Sequence, residues 1–234
     1  MRFDIAFFTE SFFKIWQAVP LTLELTLGGF GLGFVIAMIC AVLIYFKVPV
    51  AKQIIQFVVS FARGTPMILQ IYLIYYALPY FLQLIVEKLG GTFDGGSIST
   101  LLLVIIALGI NRAAYLTETI RSGIEAVGKG EIEAAYSIGM TTTQVLCYIM
   151  VPQALKICIP NFSTNFINIL HGSSLAFYAS LLEMTGTANI LAQNNWKYFE
   201  TFLASGLIYW FLTVIVELIT YRIERRMSRH ERIA

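Results

Sequence analysis

Apolar residues fall into five long blocks, at about Leu21–Tyr45, Ile54–Val86, Ile98–Ile120, Val145–Leu182 and Phe199–Tyr221. Each is at least as long as the ~20-residue helix that a bilayer core demands. Because backbone groups in lipid must bond internally, the pattern predicts an all-α membrane fold of about five transmembrane helices in one domain, 1–234. The fourth block carries Pro152, Pro160 and the cluster His171-Gly172-Ser173-Ser174. A helix that is broken in mid-membrane is expected there, its backbone groups satisfied by neighbours or by a water-filled cavity. Ahead of the first block, residues 1–17 mix Phe, Ile and Trp with Asp4, Glu10 and Lys14. They read as an amphipathic helix lying at the membrane interface rather than as a cleavable signal.

Composition agrees: 58% of residues are hydrophobic and only 13% charged, against about 25% charged in soluble domains. The net charge of +2 is spread over membrane edges, which gives no footing for nucleic acid. Cys40, Cys147 and Cys158 are isolated and have no metal-ligand spacing, so they read as packing residues. Gly28-Gly-Phe-Gly-Leu-Gly33 lies inside a span and cannot cradle phosphate, and no Gly-x-x-x-x-Gly-Lys-Ser/Thr loop occurs. Gly29-x-x-x-Gly33 instead suits close helix packing. Lys47 and Lys52 follow the first block, and Arg222, Arg225, Arg226, Arg229 and Arg232 follow the last. Lysine and arginine favour the cytoplasmic side, which places the N-terminus outside and the tail, 222–234, in the cytoplasm.

One cytoplasmic stretch, 128–152, is polar and compact. Its segment Glu131–Ile138 has helical propensity, with Ala134, Ala135 and Ile138 grouped on one face. Gly139 suits the left-handed residue that ends a helix. Thr141-Thr-Thr-Gln144 has the spacing of a capping box, which predicts a new helix running back into the membrane. Two alanines leave a shallow surface for close approach by a partner. The alternative is a connector that merely lies on the bilayer surface, although such helices usually carry bulkier apolar faces.

Glu133-Ala-Ala with Gly139, Ile149 and Val151-Pro-Gln-Ala-Leu155 resembles the coupling loop of ABC importer permeases. Arg63-Gly64-Thr65-Pro66, Asn111–Ala114 with Tyr115 and Glu118, Arg121-Ser-Gly-Ile124 and Ser173-Ser-Leu175 extend the likeness to the polar amino acid permease family, over most of Pro20–Tyr221. The resemblance implies a type I importer bundle of the methionine-permease kind. It implies a second permease copy or sister subunit, a cytoplasmic ATPase dimer, and an extracellular or periplasmic amino acid-binding protein. It further implies a bacterial inner or plasma membrane. ATP and magnesium would be held by the ATPase, so that this chain binds no cofactor and is not an enzyme. Glu133 would offer charge to the ATPase, Ala134 and Ala135 close packing, and Gly139 the turn.

Polar groups inside spans are costly and therefore mark candidate pathway positions. Tyr115, Glu118, Asn168, His171, Gly172, Ser173 and Ser174 form that set. Glu118 and Arg121 are spaced to pair, either structurally or along the pathway. A broken fourth span that frees N–H groups would let Ser173 and Ser174 bind a carboxylate, and interhelical hydrogen bonding is the plainer alternative. Arg63-Gly64-Thr65-Pro66 reads as either a hinge or a simple helix start. Related permeases often have Lys-Asp-Thr/Ser-Ser-Leu where this chain has His171-Gly172-Ser173-Ser174-Leu175. The missing acid disfavours cationic amino acids, and the segment is closer to cystine-type permeases, which points to cystine or another uncharged amino acid. A proton-coupled secondary transporter using Glu118 and His171 is the competing function. It leaves the alanine-lined loop without a role.

Overall fold

The computed structural model describes residues 3–228; Arg229 and Arg232 of the basic tail lie outside them. Its order is α1 Ile5–Trp16, α2 Val19–Tyr45, α3 Pro49–Gly64, α4 Met67–Lys88, α5 Thr100–Glu125, α6 Lys129–Ser137, α7 Thr142–Val145, α8 Val151–Gly172, α9 Met184–Asn195 and α10 Tyr198–Ser228. A π turn, Leu146–Met150, joins α7 to α8, and a 3₁₀ turn, Ser173–Ala179, follows α8. Five of these segments are long and apolar enough to cross a membrane: α2, α4, α5, Thr142–Ala179 and most of α10.

Helix α5 is the central post. It carries the longest list of buried residues and packs against α2, α3, α4 and α8. The contact with α2 is close because Gly29 and Gly33 have no side chain. A Cβ at Gly33 would stand 2.8 Å from the Gly109 carbonyl, and one at Gly29 would stand 2.9 Å from Leu108 Cβ. The Gly-x-x-x-Gly spacing therefore marks a real helix crossing.

Two expectations about the spans are corrected. The second block is not one helix: the chain stops at Gly64, runs extended through Thr65 and Pro66, and restarts at Met67, as the helix-start reading of Arg63–Pro66 expected. Proline imposes that restart, because it disfavours helix in the residue before it. The fourth block is not broken at either proline. Pro152 sits in the first turn of α8, where its missing N–H costs nothing, and Pro160 is carried inside the helix. The break comes only at Ser173.

The N-terminal segment is helical as expected, but it does not lie alone on a membrane surface. Helix α1 packs against α9 and α10, burying Ile15 and Ser11 completely or nearly so. Asp4 caps α1 and pairs with Lys197, and its own amide donates to Glu200 Oε1 at 3.1 Å. Lys197 and the Phe7 amide hold the Asp4 carboxyl below its ordinary range. A depressed carboxylate stabilises the fold above its unfolded value and loses that contribution as pH falls through the folded one. The clasp is thus complete at pH 7 and released only in acid. Asp4→Asn is expected to make α1 as protease-sensitive at pH 7 as the unaltered chain is in acid; equal resistance of the two at pH 7 contradicts the clasp.

Candidate functional site: a coupling knob and a polar cleft

The Glu133 loop forms a small, well-terminated helix at one end of the bundle. Helix α6 stops by a Schellman arrangement. The Gly139 N–H donates to the Tyr136 carbonyl at 3.0 Å, and the Met140 N–H donates to the Ala135 carbonyl at 3.1 Å. This geometry needs a left-handed residue, and Gly139 supplies it with φ +86°. The next helix opens with the expected capping box, in which the Gln144 N–H donates to Thr141 Oγ1 and the Thr141 N–H to Gln144 Oε1.

The two alanines do not share a face. Ala135 is buried in a cluster with Val127, Val145, Met150 and Ala154, which bolts α6 to the root of α8. Ala134 is exposed together with Glu133, and Ile138 is 80% exposed beside Gly139. The exposed face is therefore Glu133, Ala134 and Ile138, while Ala135 anchors. An i, i+1 pair on a helix diverges by 100°, and packing with Val127, Val145, Met150 and Ala154 turns Ala135 inward.

The pathway candidates divide into three places. On α5, counting 1.5 Å per residue from Thr100, Asn111 lies about 16 Å down and Tyr115 and Glu118 about 22 and 27 Å down, toward the α6 end. Tyr115, Glu118, Arg63 and Gly64 border a polar cleft between α3, α5 and α8, together with Asn161 and Asn165. Glu118 Oε2 accepts from Arg121 Nη2 at 2.7 Å and Nε at 3.1 Å, so the expected pair forms, and Arg121 also holds Glu125. The Arg63 and Arg112 guanidiniums both lie over the Tyr115 ring, 5.7 and 4.7 Å from its centre.

The second place is the end of α8. Asn161, Asn165 and Asn168 lie at i, i+4 and i+7, a stripe that leads from the cleft toward Gly172. Gly172 faces Met67, the first residue of α4: a Cβ there would meet the Met67 methyl at 2.9 Å. The interruptions of α3–α4 and of α8 therefore touch. The expectation of free N–H groups at Ser173 is not met, because that position is a helix C-terminus, where carbonyls are left over. Ser173 is fully buried and its hydroxyl donates to the Leu170 carbonyl at 2.7 Å; Ser174 is half-buried.

The third place is the contact of α8 with α10. His171 Nε2 lies 3.1 Å from Thr213 Oγ1, with its ring against Tyr209. Tyr209 in turn donates to Glu183, a buried carboxylate that caps α9 through the Thr185 and Gly186 amides. Burial pushes the Glu183 carboxyl up, opposed by those two amides. His171 is thus turned toward α10.

Sequence reasoning missed Gln70. Its Nε2 amide donates to the Ala62 carbonyl at 2.8 Å, the Thr65 carbonyl at 3.1 Å and Thr65 Oγ1 at 2.8 Å, which closes the carbonyl end of α3. Its Oε1 accepts from Asn111 Nδ2 at 3.0 Å, and Asn111 Oδ1 receives Arg112. One buried chain of hydrogen bonds thus ties the α3–α4 break to α5. The available signal was a glutamine four residues after Pro66, within the apolar run that follows it.

Comparison with known proteins agrees with this layout. Residues 29–229 match the family model described as binding-protein-dependent transport system inner membrane component. The probable amino-acid permease protein YxeN of Bacillus subtilis (strain 168) is 36% identical over 226 residues, spanning 97% of this chain and 96% of that protein. The probable amino-acid ABC transporter permease protein PatM of Vibrio harveyi is 31% identical, spanning 98% of each. A crystal structure of an amino acid ABC transporter with histidines superposes with a TM-score of 0.82 at 28% identity, covering 97% of this chain and all of that one.

Proposed function

Because this chain belongs to the family of binding-protein-dependent transport system inner membrane components, a family of ABC importer permeases that here has amino acid transporters as its relatives, we propose that it builds the translocation pathway of one such importer together with a second permease subunit. An ATP-hydrolysing dimer docks on α6 from the cytoplasm, and a binding protein delivers the amino acid at the opposite end, beside α1 and α9. The N-terminus faces outward and the α10 tail inward, in a bacterial inner or plasma membrane. ATP and magnesium are held by the ATPase, and this chain takes no chemical step.

The observation that carries this reading is the knob. Glu133, Ala134 and Ile138 project from a helix whose other side, through Ala135, is fixed to the start of α8. A displacement applied to α6 therefore reaches α8 with little loss. The middle of α8, at Asn161 and Asn165, forms a wall of the polar cleft, and its outer end rests by Gly172 on Met67, next to the α3–α4 interruption. Two interrupted helices that touch can re-angle without breaking their ladders, which is what alternating access requires.

Substrate preference follows from Gly172. With no acid there, a cationic side chain finds no partner at the contact of the two interruptions, and cystine or another uncharged amino acid is favoured. Gly172→Asp is expected to raise uptake of lysine or arginine relative to cystine by about tenfold, one good charge-assisted contact being worth about 1.5–3 kcal/mol. An unchanged preference in an inserted variant would remove Gly172 from the selectivity assignment. A proton relay through Glu118 and His171 is not favoured, since Glu118 engages Arg121 and His171 engages Thr213. The test of the function is uptake by vesicles containing the assembled subunits, with a panel of labelled amino acids. Uptake that requires ATP and the ATPase supports the reading, and uptake driven by an ion gradient alone contradicts it.

A further inference from the structure

A cavity of about 320 Å³ between α2, α5 and the root of α8 has no part in the pathway described above. It shares Met150 and Ala154 with the cluster that anchors Ala135, so it adjoins the base of the knob. Apart from Tyr45 and Cys158, every side chain that lines it is a hydrocarbon or a thioether, and Cys158 donates its S–H to the Thr119 carbonyl at 3.4 Å. The α2 wall, Phe34, Met38, Val42 and Phe46, is one stripe at four-residue spacing. It is about 18 Å long, close to the roughly 15 Å of hydrocarbon in one leaflet. Met38, Val42, Phe46 and, across the groove, Leu155 are each more than two-fifths exposed, so the groove opens sideways, where lipid lies. A helix of the same length, 10–12 Å across, would fill at least about 1,400 Å³. The space therefore admits a single chain and not a neighbouring helix.

The inner end of the groove is polar, as the end of a lipid is. The Tyr45 hydroxyl donates to Met150 Sδ at 3.6 Å. Lys47 follows Phe46 directly, at the left-handed turn (φ +53°) that ends α2. It is exposed and enters none of the ion pairs among the described residues. No acid occurs between Glu24 and Glu87, so neither the inner half of α2 nor α3 offsets its charge. The opposite wall includes the π turn Leu146–Met150, a rare element found mostly at functional sites.

We propose that this groove holds one acyl chain of an anionic phospholipid of the cytoplasmic leaflet, with the lipid phosphate facing Lys47. The choice of leaflet rests on the permease reading given above, which puts α6 inside. A seated chain packs against Met150 and fills the space beside Ala154, and so braces the joint that fixes α6 to α8. A zwitterionic lipid fits the same groove without the attraction of a net charge. One lysine near the membrane surface favours the anionic lipid about fivefold.

The probe is phosphatidylglycerol with a diazirine in mid-chain, present as a trace in nanodiscs that hold the full chain assembled with its ATPase subunits. Photolabelling of the α8 wall, 146–158, is measured as the host lipid is changed from phosphatidylcholine to unlabelled phosphatidylglycerol. Labelling of ordinary lipid-facing surface depends only on the share of probe and stays constant. Labelling of the groove is expected to fall about fivefold as the host lipid competes for it. Lys47→Gln should abolish that fall while keeping the labelling, and Val42→Trp, at the exposed lip, should close the groove and remove it. Co-purification with the ATPase verifies that both variants are assembled. Groove labelling that ignores the host head group, or a fivefold fall that survives Lys47→Gln, would overturn the proposal. So would an unlabelled α8 wall together with permease-to-permease crosslinking from Val42→Cys in a Cys147→Ser background, which would give the groove to the second subunit. Cys147 is removed because it is exposed on the α7–α8 connection. The readout needs no ATP: uptake that requires ATP, with no labelling of the groove, defeats this site alone, whereas loss of ATP dependence defeats the permease reading.

Discussion

Replacing Gly139 by valine is expected to leave the protein in the membrane while lowering ATP-driven uptake about tenfold, since a left-handed conformation costs an L-residue roughly 1–2 kcal/mol and a β-branched one more. The site has room for a side chain, because nothing lies within 4 Å of a Cβ built there. The penalty is therefore purely one of backbone conformation. Without a left-handed residue at +86°, the Gly139 and Met140 amides can no longer both close the end of α6. Ile138 is then displaced from its place beside Ala134, and the partner meets a frayed helix. Gly139→Asn, which tolerates this conformation better, should retain most of the uptake. The measurement is uptake and ATPase co-purification side by side for the two variants. Equal co-purification of Gly139→Val and the unaltered chain would contradict the role given to this turn.

The second large effect is expected at Gln70. Gln70→Leu preserves size and increases apolarity, so a bilayer-facing position would tolerate it. Here it strands the Ala62 and Thr65 carbonyls and removes the acceptor of the Asn111 amide. Each buried group left unpaired costs about 1–3 kcal/mol in general, and interhelical bonds in membranes average about 0.6 kcal/mol. A loss on the order of 2–5 kcal/mol is therefore expected, read as a lower unfolding temperature in detergent. Gln70→Glu should fall between the two, because a carboxylate still accepts from Asn111 but cannot donate to the two carbonyls. A leucine variant as stable as the unaltered chain would show that the α3–α4 break is held by something else.

Much of this was legible locally. Five apolar blocks, the capping box at Thr141, the left-handed Gly139, the Glu118–Arg121 pair and the Gly29–Gly33 crossing each depend on residues within a few positions of one another. What escaped depended on distant neighbours. Arg63–Pro66 marked a hinge or helix start within the run from Ile54 to Val86, but its lock, Gln70, acquires meaning only beside Asn111 on another helix. Ala134 and Ala135 are indistinguishable by pattern until the packing of Met150 and Ala154 fixes which one faces inward. At Ser173 the chain reveals an interruption but not its polarity, and the polarity decides whether N–H or carbonyl groups are left over. Pro160 gave a false signal, because a membrane helix can carry a proline without stopping.

The central claim is that the Ala134–Ile138 face of α6 is the surface on which a nucleotide-hydrolysing subunit acts. Cysteine placed at Ala134 and, separately, at Ile138, in a Cys147→Ser chain assembled with its ATPase subunits, tests it most directly through crosslinking with a short bifunctional maleimide. The account predicts crosslinks to the ATPase subunit from both positions and no labelling of either by a membrane-impermeant maleimide applied from outside the cell. Labelling from outside, or assembled complexes that crosslink from neither position, would contradict it.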